Sequence, residues 1–246
     1  MNIVLFDSLS NENALSLSDE RAFHILFVLK LREGDVFKCG VFNGSKGKGT
    51  ITKITNDTLF FNYDVLEMQS KSCINLTIIL GAVRPICLKR IVRCASECGV
   101  KRIIISLTEL SEKSYLESGF IKNGEALKTI KDGAMQSGET SLLSLEIAQS
   151  LGSAISLINE REKSQKFCSS RFILDNKTEF YKADVPFLQD TKIENTEAVL
   201  AIGSERGWTD RERSLFVESG FLPRKLSERI LRSETAAEVA LFPFLK

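Results

Sequence analysis

Two stretches of this 246-residue chain combine residue types that could hold a ligand. The first is Ile202-Gly203-Ser204-Glu205-Arg206-Gly207-Trp208. It follows the apolar run 198–202, which reads as a strand. It precedes Asp210 to Glu218, which reads as a helix capped by Thr209 or Asp210. Glycines at the carboxyl end of a strand let the backbone come close to a bound molecule, and open α/β sheets bind ligands there. The same residues would serve equally as a plain strand-to-helix turn, and spacing alone leaves the two readings level. The second stretch is Leu226-Ser227-Glu228-Arg229-Ile230-Leu231-Arg232-Ser233-Glu234-Thr235-Ala236. It reads as a basic loop entering a helix, with Ser233 placed to cap that helix and Glu234 near its positive end.

Other chemistries lack their residues. No G-x-G-x-x-G fingerprint occurs, which disfavours a dinucleotide enzyme. Gly44-x4-Gly49 is followed by Thr50 with no lysine between, and the segment opens a strand. It reads as a hairpin tip that can still touch phosphates, not as a phosphate-binding loop. The six cysteines, at 39, 73, 87, 94, 98 and 168, contain no C-x-x-C pair, and His24 is the only histidine. No metal site is expected; the cysteines read as free thiols of a reducing, cytoplasmic compartment. Cys94 and Cys98 are four apart, on one helical face.

A net charge of +1 argues against binding nucleic acid by charge alone. Any positive surface must be local. Lys46/Lys48, Arg84/Lys89/Arg90/Arg93 and Arg224/Lys225/Arg229/Arg232 are the clusters, each equally readable as a solvated face. No apolar run approaches the ~18 residues of a membrane span. The stretch Met1 to Asp7 reads as a first strand, not a signal peptide.

The elements around these stretches fall into two parts. Residues 1–70 read as a small β-barrel or sheet domain. Strands at 36–42, 50–54 and 58–63 flank the Asn43–Gly49 turn, and one helix interrupts them around Asp19 to Leu29. The Gln69-Ser70-Lys71-Ser72 polar break separates them from residues 73–246. There, strands at 74–80, 102–107, 172–175 and 198–202 alternate with helices at 86–98, 121–137, 149–160, 210–218 and 233–245, Gly99 ending the first. This alternation predicts an α/β domain with a mostly parallel sheet.

In order and spacing these segments resemble the 16S ribosomal-RNA uracil-N3 methyltransferases, the RsmE type of the SPOUT superfamily. His24 through Val28-Leu29-Lys30-Leu31-Arg32-Glu33-Gly34-Asp35 resembles the family's H-x3-V-L-R-x3-G-D. Lys89 through Ser96-Glu97-Cys98-Gly99-Val100 resembles its K…E-L-G-V stretch, and the Gln136 region adds a third match. The most specific is I-G-x-E-x-G-W followed, some twenty residues on, by L-x-x-R-I-L-R-S-E-T-A. Several positions depart from the family. Ser204 and Arg206 replace a proline and a glycine of G-P-E-G-G, Lys30 an arginine, and Ser227-Glu228 part of L-G-x-R. Glu139 stands near Gln136 where an arginine often follows.

The resemblance implies an N-terminal PUA-like RNA-binding β-barrel and a C-terminal SPOUT α/β domain with a deep trefoil knot. It implies a homodimer, in the cytoplasm, acting on 16S rRNA in the small ribosomal subunit. The methyl donor would be S-adenosyl-L-methionine and the target N3 of a uridine, expected at uracil 1498 of that RNA. The implied donor pocket comprises Leu174, Ile202, Gly203, Ser204, Glu205, Gly207, Trp208, Leu226, Ser227, Ile230, Leu231 and Arg232. Trp208 would stack on the target base or the donor's adenine, or else belong to the core. Implied RNA contacts are His24, Lys30, Arg32, Lys46, Lys48 and Lys89. Uracil N3 carries a proton that must leave at or before attack. On this reading Arg232 stabilises the developing uracil anion, and Glu205 or Glu234 takes the proton or only orients a loop. Two alternatives remain: a related RNA methyltransferase with a different rRNA or tRNA target, and a catalytically silent RNA-binding protein.

Overall fold

The computed structural model describes residues 1–68, 73–192 and 197–245. The break at 69–72 expected from the sequence therefore lies outside the described residues. The chain divides into two compact units, Met1–Ser72 with Lys131–Leu142, and Cys73–Ile130 with Leu143–Lys246. The first unit thus takes a segment, 131–142, that sequence reading leaves in the second.

The first unit holds β1 (Val4–Phe6), β2 (Glu12–Ser16), α1 (Glu20–Phe23), β3 (Val36–Val41), β4 (Lys46–Ile54) and β5 (Thr58–Glu67). Its five strands order as β1-β3-β4-β5-β2, so β1 and β2 are the edges. Register shifts at Lys46/Gly47 and Ile51/Lys53 bend the β4–β5 pair, and such bulges curl a sheet. The curl encloses Val4, Phe6, Leu15, Ile25, Phe37, Leu59 and Phe61. The glycine-rich segment is not the hairpin tip: the turn is Phe42–Ser45, and Lys46 to Gly49 already belong to β4. Its glycines answer packing. A Cβ at Gly47 would run into the Asp64 carbonyl, and one at Gly49 would sit 2.6 Å from the Phe37 ring.

The second unit begins with β6 (Ile74–Gly81), α2 (Pro85–Glu97), β7 (Val100–Ser106) and α3 (Gly119–Lys122). Helix α4 (Glu125–Ser137) crosses the division between units. Then come β8 (Ser144–Ala148), α5 (Leu151–Gln165), β9 (Ser169–Leu174), α6 (Thr178–Tyr181), β10 (Glu197–Ile202), α7 (Asp210–Glu218), β11 (Leu222–Arg224) and α8 (Ser233–Leu241). The six strands order as β11-β9-β10-β6-β7-β8, every pair parallel. Alternate residues point to opposite faces. Ile79, Ile104, Ile173, Val199 and Ala201 pack in one core with α5 and with Phe216 of α7. Ile78, Leu80, Ile103, Ile105, Leu200 and Ile202 are just as buried, and α2 and α8 pack against each other, touching β7 and β10 respectively. A parallel sheet covered on both faces has near-continuous apolar strands, as β6, β7 and β10 do.

Several boundaries differ from the sequence reading. The helix expected over 121–137 breaks at Asn123-Gly124, where Gly124 has φ +77°. The helix expected over 149–160 runs from Leu151 to Gln165, after a strand, β8, that was not expected. The last helix ends at Leu241 and tightens to 3-10 over Phe242–Phe244. Ser233 does not cap it: Arg232 is the N-cap residue, with no side-chain cap bond, and Ser233 is the first helical residue. Thr209 does cap α7, exchanging hydrogen bonds with Glu212.

Among the described residues no helix is long and apolar enough to cross a membrane. Among the described residues no three His, Cys, Asp or Glu side chains group to hold a metal.

Candidate active site

Strands β9, β10 and β11 end side by side, and their following loops enclose a cleft in the second unit. Its walls are Leu174 ending β9 with Asp175 and Asn176 after it; Ile202 ending β10 with Gly203, Ser204, Gly207 and Trp208 after it; Leu226, Ser227, Arg229, Ile230 and Leu231 on the approach to α8; and Ser233 and Ala236 in its first turn. This is the carboxyl edge of the sheet, where α/β proteins bind ligands. The 202–208 loop, which spacing alone leaves level between a ligand loop and a plain turn, thus forms one wall of this cleft.

The glycines of that loop have separate reasons. Gly207 sits at φ +71°, a conformation that side chains strain, while its N–H donates to the Ser204 carbonyl at 2.9 Å. A Cβ on Gly203 would come within 3.1 Å of the Gly207 Cα. Gly81, ending β6, is tighter still: a Cβ there would meet the Ser204 amide nitrogen at 2.6 Å. Only bare backbone lets the loop fold onto the sheet edge.

Trp208 is a core residue. It is 3% exposed, meets Phe216 edge-on at 4.8 Å, and donates its indole N–H to the Leu174 carbonyl at 3.2 Å. It lines the cleft from inside the core and ties the β10 loop to the end of β9, so it is not placed as an open stacking surface.

A second set of bonds ties the remaining wall. Asp175 Oδ1 accepts from the Asn176 and Lys177 amides, and Asn176 Nδ2 donates across to the Ser227 carbonyl at 3.3 Å. Asp175 Oδ2 accepts from Arg213 Nε at 2.5 Å and from the Tyr181 hydroxyl at 3.0 Å. Both side chains of the Asp175–Arg213 pair are under a tenth exposed. Asp175 and Asn176 were missed in the sequence. Their only signal was a polar Asp-Asn-Lys run directly after an apolar strand.

Beside the cleft, and sharing Ser233 with it, lies a cavity of about 300 Å³ lined by Arg84, Cys87, Glu205, Arg232, Ser233 and Glu234. The candidates Glu205 and Arg232 therefore line this cavity and not the cleft itself. Glu205 Oε1 accepts from the Arg84 amide at 3.0 Å, at the amino end of α2, and lies 3.6 Å from the Arg84 guanidinium. Glu234 lies on the first turn of α8. Its own backbone N–H, the Cys87 thiol, and the charges of Arg232 and Arg90 hold its carboxyl below the usual range despite some desolvation. Arg232 is exposed and makes no ion pair among the described residues. Burial and the hydrogen bond to Glu234 push the Cys87 thiol up, which keeps it protonated and weakly nucleophilic.

The proposed RNA contacts are scattered. Lys30, Arg32 and Lys48 are exposed in the first unit. Lys46 is half-buried and paired with Glu139 at 3.0 Å. The Nε2 of His24 is buried without a partner, and burial with the nearby N-terminal charge lowers its pKa, so it is held neutral. Lys89, in the second unit, is exposed and lies 3.9 Å from Glu125. The basic clusters of α2 and of 224–229 are largely engaged: Arg90 with Glu234, Arg93 with Glu97, Lys225 with Asp184 and Glu228.

Comparison with known proteins places this geometry. Residues 69–243 match the model of an RNA methyltransferase domain, and residues 17–62 that of an RNA methyltransferase PUA domain. Ribosomal RNA small subunit methyltransferase E of Treponema pallidum is 35% identical, over 96% of this chain and 88% of its own. Its Borreliella burgdorferi counterpart, methyltransferase E 1, is 32% identical over 98% and 95%. The crystal structure of a ribosomal RNA small subunit methyltransferase E from Neisseria gonorrhoeae bound to S-adenosyl methionine superposes with TM-score 0.71 at 20% identity, covering 98% of this chain and 95% of that one, and so shares the fold. By the family model over most of its length and by these relatives, the chain belongs to the ribosomal RNA small subunit methyltransferase E family of RNA methyltransferases.

Proposed function

We propose that this chain methylates N3 of a uridine in the RNA of the small ribosomal subunit, at the position equivalent to uracil 1498, with S-adenosyl-L-methionine as donor. The observation that carries the reading is the pair of neighbouring spaces: the glycine-walled cleft at the sheet edge and the Arg232–Glu234 cavity, with Ser233 in the wall of both. One space suits a donor and the other a reacting base.

The cleft fits the donor. Leu174, Ile202, Leu226 and Leu231 supply apolar walls, and the bare backbone at Gly203 and Gly207 leaves room that a Cβ would fill. Bound there, the donor supplies the electrophilic methyl group. The chain supplies orientation. The 203–208 loop and the 226–233 loop, held by Trp208 and Asn176, set the direction from which the acceptor nitrogen must come. Arg232 stabilises the uracil anion as N3 loses its proton. Glu234, already engaged by Cys87 and the arginines, is a weak base and acts as a positioning group. Glu205, bonded among the described residues through Oε1 only, takes the proton on Oε2.

In this reading the first unit binds RNA, and residues 1–70 and 73–246 correspond to the PUA-like and SPOUT domains. The 174–176, 202–208 and 226–233 segments form the trefoil knot of the SPOUT fold. The protein works as a cytoplasmic homodimer; the exposed Val239, Phe242 and Leu245 around the end of α8 are the apolar surface that pairing would cover.

Calorimetric titration with S-adenosyl-L-methionine separates this reading from a silent RNA-binding protein. Saturable uptake that is lost on Gly203→Val is expected. No heat from the wild-type protein would leave the silent alternative standing.

A further inference from the structure

The first unit carries an aromatic feature that its own core does not use. Helix α1 and the turn after it bury Ala22 and Ile25. They leave Phe23 and Phe27 outside, 56% and 64% exposed. The two rings stack, with centroids 5.0 Å apart and planes inclined by 29°. Residues four apart meet on a helix surface, and each ring that covers one face of its neighbour leaves its own outer face open. Val28 and Leu29 are exposed beside them. Contiguous exposed apolar surface of this kind marks a binding site.

The backbone here is unusual as well. His24–Val28 winds as a π-helix, closed by the Leu29 N–H donating to the His24 carbonyl at 2.9 Å. Such turns are rare and recur at functional sites. Lys30 ends the turn at φ 57°.

Charge identifies the occupant. Lys30 and Arg32 follow directly; both are exposed and make no ion pair among the described residues. The two carboxylates next in the chain are turned to backbone amides, Glu33 to Ile54 and Asp35 to Arg32. Open aromatic faces beside cations free of side-chain ion pairs are what unpaired nucleic acid requires: rings for the bases, cations for the phosphates. An apolar protein partner would use the rings and leave the cations without purpose.

We infer that Phe23 and Phe27 form a stacking platform for unpaired bases of the substrate RNA, with Lys30 and Arg32 on the adjoining phosphates. The inference rests on the RNA-directed reading given above and names the surface that holds the RNA.

The test measures binding of a fluorescently labelled small-subunit RNA fragment to the full chain over a range of salt concentrations. Base–aromatic stacking predicts about tenfold weaker binding for Phe27→Ala and roughly a hundredfold for Phe23→Ala with Phe27→Ala. Phe27→Trp should bind like wild type and Phe27→Leu like the alanine variant. The phenylalanine variants should keep the wild-type salt slope, whereas Lys30→Ala should lower it by about 0.7 to 0.9. Uptake of S-adenosyl-L-methionine, read in the other unit, should not change in any of them. Wild-type affinity in Phe27→Leu, or in the double alanine variant, overturns the platform while leaving the RNA reading intact. So does a dimer that dissociates on Phe27→Ala with unchanged RNA affinity, since a second copy would then cover the patch. No RNA binding by the wild-type chain overturns both.

Discussion

Arg232→Ala is expected to lower methyl transfer to small ribosomal subunits by roughly 10²–10³-fold, the range seen when a donor aimed at developing charge is removed. The residue lines the cavity beside Glu205 and Glu234 and is next in the chain to Ser233, which lines both spaces. It is the exposed N-cap residue of α8 and contributes no side-chain cap, so its loss should cost the fold little. The donor cleft is lined by its neighbours Leu231 and Ser233 and not by Arg232 itself. S-adenosyl-L-methionine affinity should therefore change by less than about threefold, under one kcal/mol. Single-turnover rates separate the two effects. Arg232→Lys keeps the charge without the fork of donors and should recover part of the rate. Full activity in Arg232→Ala would remove this residue from the chemistry.

Asp175→Ala should act the other way, on stability first. It removes the partner of an arginine whose side chain is 8% exposed, along with the acceptor of the Tyr181 hydroxyl. Breaking a buried pair from one side costs about 3–5 kcal/mol. Asp210, 2.9 Å from Arg213, remains and keeps the cost near the lower bound. At about 2–4 °C per kcal/mol for a unit of this size, melting should fall by roughly 6–12 °C. The same substitution frees the Asn176 and Lys177 amides that shape the cleft wall, so donor affinity should drop at least about tenfold. Replacing both partners, Asp175→Leu with Arg213→Met, should restore most of the stability but not the affinity. Unchanged melting of Asp175→Ala by calorimetry would show that the pair does not hold this wall.

The two site-bearing loops were legible because their residue types are local signals: glycines after an apolar strand, and a basic run before a helix. Their adjacency was not. Asp175 reaches the cleft only because β9 lies parallel beside β10, a pairing that spans the chain from Ser169 to Ala201. Arg84 and Cys87 join the cavity because the amino end of α2 meets the Glu205 loop, 121 residues on. Local pattern also failed at the sheet edges. Strand β8 is an edge strand whose exposed Ser144 and partly exposed Glu146 hide its apolar residues, and β11 is three residues long with Pro223 at its centre, a residue tolerated only at an edge. Trp208 shows the same limit. Its type suits stacking, but burial against Phe216 and the bond to Leu174 make it a brace.

The most direct measurement combines the purified chain, labelled S-adenosyl-L-methionine, and small ribosomal subunits from a strain lacking this methyltransferase, followed by mass mapping of the RNA. The account predicts one N3-methyluridine, at the uracil 1498 position, formed on assembled subunits and formed far more slowly with Arg232→Ala. Label on a different nucleotide, on transfer RNA, or on no RNA at all would contradict it.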